Sequence, residues 1–99
     1  MSEPNEIIHQ SMRLKIMSAV NVLGPGAAIE FIRLKKLVGA TDGNLGAHLD
    51  TLEKAGYVAI EKRFVGKKPQ TRVKATAEGR RAFAAHVAYL RHILESATS

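Results

Sequence analysis

Residues 41–58 read Thr-Asp-Gly-Asn-Leu-Gly-Ala-His-Leu-Asp-Thr-Leu-Glu-Lys-Ala-Gly-Tyr-Val. Leu45, Leu49 and Leu52 recur at spacings of 4 and 3, which is one buried stripe of a helix. Thr41 is a good N-cap, because its side-chain oxygen can accept from an N–H that the first turn leaves unpaired. Asp42 suits the positive end of the helix dipole. Gly56 supplies the left-handed stop. The pattern predicts a helix over 41–55, and the alternation that begins at Tyr57 predicts a strand.

Upstream, Phe31, Leu34 and Val38 are spaced 3 and 4, and Gly39 follows. That predicts a helix over 30–38, joined to the next by Val38-Gly39-Ala40-Thr41. Two helices on a short Gly-containing turn form a helix-turn-helix. Gly24-Pro25-Gly26 ends an earlier helix over 6–23, in which Ile8, Met12, Ile16, Val20 and Leu23 form the main stripe. Ile7, Leu14 and Met17 lie off that stripe, so this helix needs cover on two sides. Ser11 is the expected cap of its main segment, after a frayed lead-in from Met1 to Glu6. A very short strand is expected near Ala28.

Downstream, residues 57–75 read as a basic hairpin. Val58 and Ile60 face one way, Gly66-Lys67-Lys68-Pro69 is the expected turn, and Val73 and Ala75 face inward from a return strand over 71–75. Thr76 caps a last helix over 77–97. The order is therefore three helices, a hairpin and a helix: mainly α, a winged helix-turn-helix with an added C-terminal helix.

The charge supports a nucleic-acid partner. Residues 62–81 hold eight cations against Glu78 alone, while the rest of the chain has seven cations and eight anions. One segment thus carries the entire net charge of +6. Such a local excess suits a polyanion, since each neutralised phosphate releases condensed counterions. A chain of 99 residues makes one domain. Cysteine is absent, which excludes disulfides, thiolate metal sites and cysteine nucleophiles. The longest uncharged stretch, Ile16 to Ile29, is 14 residues long and contains Pro25, too short and broken to span a bilayer. The start is acidic and polar, unlike a secretory signal, so a cytoplasmic protein without membrane association is expected.

Residues 41–58 resemble the recognition-helix signature of small winged-helix regulators of the MarR and ArsR kind, with its Ser/Thr cap and its Leu-Glu-x-Ala-Gly-Tyr-Val ending. Phe64 to Thr71 is similar to their wing, Thr76-Ala77-Glu78-Gly79-Arg80 to the start of their final helix, and Ser11 to Met17 to part of their first. The resemblance covers about 85 of 99 residues in the right order. It implies sequence-specific binding of double-stranded DNA by a homodimeric transcriptional regulator, with the helix over 41–55 in the major groove and the wing over 62–74 on the minor groove or phosphates. Two departures stand out. Gly46 replaces a frequent Ser, removing one expected contact, and the cysteines of metal-sensing ArsR proteins are missing.

With Leu45, Leu49 and Leu52 buried, the opposite face of that helix presents Gly43, Asn44, Ala47, His48 and Thr51. Asn44 can pair bidentately with adenine, and Ala47 or Thr51 can touch a thymine methyl. His48 can donate to guanine or phosphate, or it is a packed histidine. Thr41, Lys62, Arg63, Lys67, Lys68, Arg72 and Lys74 are the expected phosphate and wing contacts. Arg13 and Arg33 read more readily as solvated or salt-bridged. Asp42 and Asp50 should point away from phosphate or order nearby lysines.

No histidine pair, metal-ligand motif or Gly-rich phosphate cradle occurs, so neither an enzyme nor a cofactor is expected. Phe83, Val87, Leu90 and Leu94, widened by Ile93, form an apolar seam on the last helix, and the expected use of that seam is a homodimer interface. The competing reading is a winged-helix protein-interaction module without sequence-specific DNA binding. The operator, the sign of regulation and any small-molecule effector are not readable from these residues.

Overall fold

A computed structural model describes residues 4–98. Its elements are α1 (Ser11–Val22), β1 (Ala28–Glu30), α2 (Phe31–Val38), α3 (Asp42–Lys54), β2 (Val58–Val65), β3 (Lys68–Ala75) and α4 (Ala77–Thr98). This is the winged helix expected from the sequence. The three antiparallel strands run in the order β1-β3-β2, so the return strand is central. Ile29 lies opposite Val73, and Val73 opposite Ile60.

The core is filled by Ile16, Met17 and Val20 of α1, Leu34 and Val38 of α2, the leucine stripe of α3, and Val58, Val73 and Ala75 of the sheet. The α2–α3 turn follows the expected chemistry. Gly39 is left-handed at φ 71°, and its N–H donates to the Lys35 carbonyl. Thr41 Oγ1 accepts from the Asn44 N–H at 3.2 Å. Thr76 ties two elements together: its hydroxyl donates to the Gly56 carbonyl at 2.6 Å and accepts from the Gly79 N–H at 2.9 Å.

Three boundaries differ from the sequence reading. The first helix begins at Ser11 rather than near residue 6, and its cap is Gln10, whose side-chain oxygen accepts from the Arg13 N–H at 2.9 Å. Gln10 has the reach of a capping carboxamide but is not a usual cap residue, so Ser11 was the stronger signal. Glu30 is not in the second helix: it ends β1 and caps α2 without a side-chain bond. The hairpin turn is only Gly66-Lys67, with Val65 paired to Lys68 and Phe64 to Pro69. Gly66 at φ 64° relieves the tight reversal, so Lys68 and Pro69 continue the strand.

The lead-in is also not frayed at Asn5; Met1, Ser2 and Glu3 lie outside the described residues. The Asn5 carboxamide oxygen accepts from the N–H groups of Ile7 and Ile8, and its nitrogen donates to the Tyr57 hydroxyl at 2.9 Å. Its backbone N–H donates to His86 Nδ1 at 3.2 Å. This turn buries Ile8 completely and is tied to α4 through His86.

His86 is 1% exposed, and its Nε2 has no hydrogen-bond partner among the described residues. Because Nδ1 accepts from Asn5, the neutral ring carries its proton on Nε2. A second proton would set two donors face to face. Burial, and then the charge of nearby His9, hold His86 below its usual value of 6.5. On acidification the unfolded chain therefore takes up this proton first. The contribution of His86 is fully present above the unfolded value and is lost as pH falls from there through the lower folded value. The urea midpoint is expected to drop between about pH 7.5 and about pH 5.5, a window that brackets the unfolded histidine value. His86→Leu should remove that part of the drop; an unchanged profile in the variant would assign the drop to other groups.

Candidate nucleic-acid interface

On α3 the leucine stripe faces the core, which turns Gly43, Asn44, Gly46, Ala47 and Asp50 to solvent. Asn44 is exposed, and its carboxamide makes no hydrogen bond to the described residues. Ala47 stands one turn further along, also exposed. Thr51 is half-buried, and its hydroxyl donates back to the Ala47 carbonyl at 3.3 Å, leaving its methyl as the free group.

His48 departs from the expected face. It is half-buried on the flank toward α1, with Nδ1 at 3.2 Å from Arg13 Nη1. Arg13 Nε also donates to the Ile7 carbonyl. This arginine thus bridges the N-terminal turn, α1 and α3. It reads as neither a solvated nor a salt-bridged arginine, because its partners are a carbonyl and a ring nitrogen.

Two of the three acids of α3 are paired; Glu53, at its C-terminal end, is the third. Asp42 pairs with Lys35 at 2.8 Å, and Asp50 with Lys54 at 2.9 Å. These acids order nearby lysines, one of the two outcomes expected for them; the lysines are Lys35 and Lys54, and only Asp50–Lys54 has the i,i+4 spacing legible in the sequence. These surface pairs add little stability. Their effect is to mute the acids beside the exposed helix face.

The wing divides into two faces. Arg63, Arg72 and Lys74 lie on the outer face with Glu61. Lys74 bonds Glu61 at 3.1 Å, and this hydrogen bond and charge, with Arg72 and Arg63 beyond, hold the Glu61 carboxyl below the usual carboxylate range. Arg72 sits opposite both Glu30 and Glu61 across the sheet. Arg63 donates to the Gln70 carboxamide at 3.1 Å. On the other face Lys62 shares a groove with Gly46, Asp50 and Glu53 of α3. Lys67 and Lys68 occupy the tip. Lys62, Arg63, Lys67 and Lys68 are all exposed and form no ion pair among the described residues.

On α4 the residues buried by the chain itself are Gly79 and His86, with Ala82 half-buried between them, not the apolar seam. Two of these three are not apolar side chains, which hid the stripe from periodicity. Phe83 packs against the edge of the core, Val87 and Leu90 are half-buried, and Ile93 and Leu94 are exposed at 44% and 66%. No described helix is long and apolar enough to cross a membrane.

A helix-turn-helix whose second helix offers an unencumbered face, followed by a cationic hairpin, defines a winged helix built to meet nucleic acid. The model of the winged helix DNA-binding domain family matches residues 12–94, and the chain belongs to that family. It is 36% identical over 78 residues to an uncharacterized protein of Methanocaldococcus jannaschii, covering 79% of this chain and 82% of that one. Its fold is similar to that of a transcriptional regulator homologue from Pyrococcus horikoshii OT3, with a TM-score of 0.82 at 26% identity over 93% of this chain and 88% of that one. A MarR-like transcriptional regulator of Thermotoga maritima shares the fold at a TM-score of 0.66 and 23% identity, over 98% of this chain and 67% of that one.

Proposed function

We propose that the chain is a homodimeric transcriptional regulator that binds specific sites in double-stranded DNA. The observation that carries this reading is the pairing of an exposed Asn44 on α3, whose carboxamide has no hydrogen-bond partner among the described residues, with four wing cations that form no ion pair among them. Phosphate contacts position a protein and base contacts specify the site. Asn44, Ala47 and the Thr51 methyl supply the base-reading group, with His48 at its margin through the ring edge that Arg13 leaves free. Thr41, Lys62, Arg63, Lys67 and Lys68 supply the phosphate contacts. Arg72 and Lys74 join them from the outer sheet face, where they also hold Glu61. The exposed end of the seam on α4, Ile93 and Leu94 with Leu90, Val87 and Phe83 behind them, joins two copies. The likeness to regulators of the MarR kind supports the regulatory role.

Two substitutions test the two kinds of contact. Affinity for random duplex DNA should fall by about 0.9 log units per log unit of salt for each phosphate contact. Lys67→Ala with Lys68→Ala should flatten that slope by about one to two contacts per subunit, measured by fluorescence anisotropy across a salt series. An unchanged slope would remove the wing from the interface. For Asn44→Ala, binding to a site selected from random DNA should weaken by about 1–3 kcal/mol with non-specific binding intact. Equal losses on both DNAs would make Asn44 a phosphate or structural group.

A further inference from the structure

Phe64 is 73% exposed, whereas Phe31, Phe83, Tyr57 and Tyr89 are all at least half-buried. Such exposure on a large ring gains nothing for folding. Its place in the wing is specific. It lies opposite Pro69 in the register, on the same face of the hairpin as Ile60 and Val73 but beyond the core. Ile60 is the last residue of β2 that packs on the core, and Phe64 follows it by four residues. At about 3.3 Å per residue the ring stands about 13 Å further out along the strand. The minor groove is about 7.5 Å deep, so the arm is long enough for its end to enter. Pro69 costs the sheet nothing on its far side, because β1 pairs only with residues 72–74 of β3.

The surroundings of this apolar pair are cationic. Lys62 shares its face, Lys67 sits at the adjoining tip, and Arg63 and Lys68 stand on the opposite face of the same hairpin, all exposed and without ion pairs among the described residues. A second copy of this tip would bring like charges together. Stacked bases behind a phosphate wall present the complementary order, apolar within and anionic at the rim. Phe and Pro are among the side chains that wedge between base steps from the minor groove.

We propose that Phe64, backed by Pro69, is an apolar wedge that the wing inserts at a base step of duplex DNA, partly unstacking the step and bending the duplex. The proposal rests on the DNA-binding reading above and adds a residue that reads deformability rather than base edges. Pyrimidine–purine steps, which unstack most readily, are the expected targets.

The test uses the full chain and a duplex of about 30 base pairs, a length over which a bend is measurable. The duplex has TA steps, 2-aminopurine beside one of them, and a fluorophore at each end. The native protein should raise 2-aminopurine fluorescence and shorten the end-to-end distance. Phe64→Ala should abolish both and weaken binding by about 5- to 150-fold, the range set by base–aromatic stacking. Its salt slope should not change, because no charge is removed. Phe64→Leu, which keeps an apolar wedge, should retain most of both signals. Native binding with silent 2-aminopurine and an unbent duplex would overturn the wedge alone. Failure of the native chain to bind any duplex at low salt would instead overturn the DNA-binding reading itself. A lower solution mass for Phe64→Ala, or Phe64-dependent binding to phosphatidylserine vesicles with no unstacking of DNA, would reassign the tip to a protein or lipid contact.

Discussion

Gly79→Ala is expected to destabilise the protein by about 3 kcal/mol, the upper end of the usual cost of overpacking. A Cβ at this position would lie 2.0 Å from the Tyr57 carbonyl oxygen, 2.8 Å from its carbon and 3.0 Å from the Tyr57 Cα. All three are backbone atoms, so no side chain can rotate away. The same carbonyl accepts the Thr76 N–H at 3.1 Å, which pins it at the start of α4. Alanine would normally stabilise a helix by about 1 kcal/mol over glycine, so the clash must exceed that gain. For a domain of this size the loss corresponds to a melting temperature lower by about 12–24 °C. Circular dichroism on heating measures it directly. Gly46→Ala is the control: a Cβ there meets nothing within 4 Å, and the exposed helix should become more stable by about 0.5–1 kcal/mol. Equal stability of Gly79→Ala and the native chain would mean that α4 does not seat on Tyr57.

The second large effect is expected on assembly. Every residue from Arg91 to Ala97 is exposed in the single chain, including the apolar Ile93 and Leu94. The α4 helix has 22 residues, about 33 Å at 1.5 Å per residue, and only its first half rests on the core. Ile93→Glu with Leu94→Glu should convert a dimer to a monomer that remains folded, because neither side chain supports the core. Light scattering after gel filtration would report the mass. Binding to a two-fold site should fall by about 10²–10⁴-fold, the advantage that linked half-site contacts confer. A native chain that is monomeric at micromolar concentration would end the proposal. A variant that stays dimeric would move the interface to exposed apolar residues outside the wing and α4: Val22, Leu23, Ile32 and Leu37.

Most of the candidate interface was legible because it is local. The cap at Thr41, the stop at Gly39, the leucine stripe of α3 and the cations of the wing each depend on residues a few positions apart. The exposed position of Asn44 follows from that stripe, since a helix with one buried face must present the other. The helix pattern leaves His48 open between a DNA contact and a packed ring, because the partner that holds it half-buried, Arg13, is 35 positions away. Gly66 and Pro69 are both turn formers, so the sequence pattern predicts a four-residue tip. In the folded chain the register carries Pro69 into the strand opposite Phe64, and only then does the ring stand out as exposed.

By itself, then, the sequence determined the element order, the caps, the winged helix and the segment that holds the positive charge. These arise from periodicity, capping and composition, which act within one or two turns of chain. Tertiary structure alone decided what Asn5, His86 and Gly79 do. Asn5 meets Tyr57 and His86 across 52 and 81 positions, and Gly79 has its value only where α4 crosses the Tyr57 backbone. A glycine, a histidine and an asparagine carry no apolar signal, so their roles come into being only when packing brings the distant partners within hydrogen-bond or contact distance.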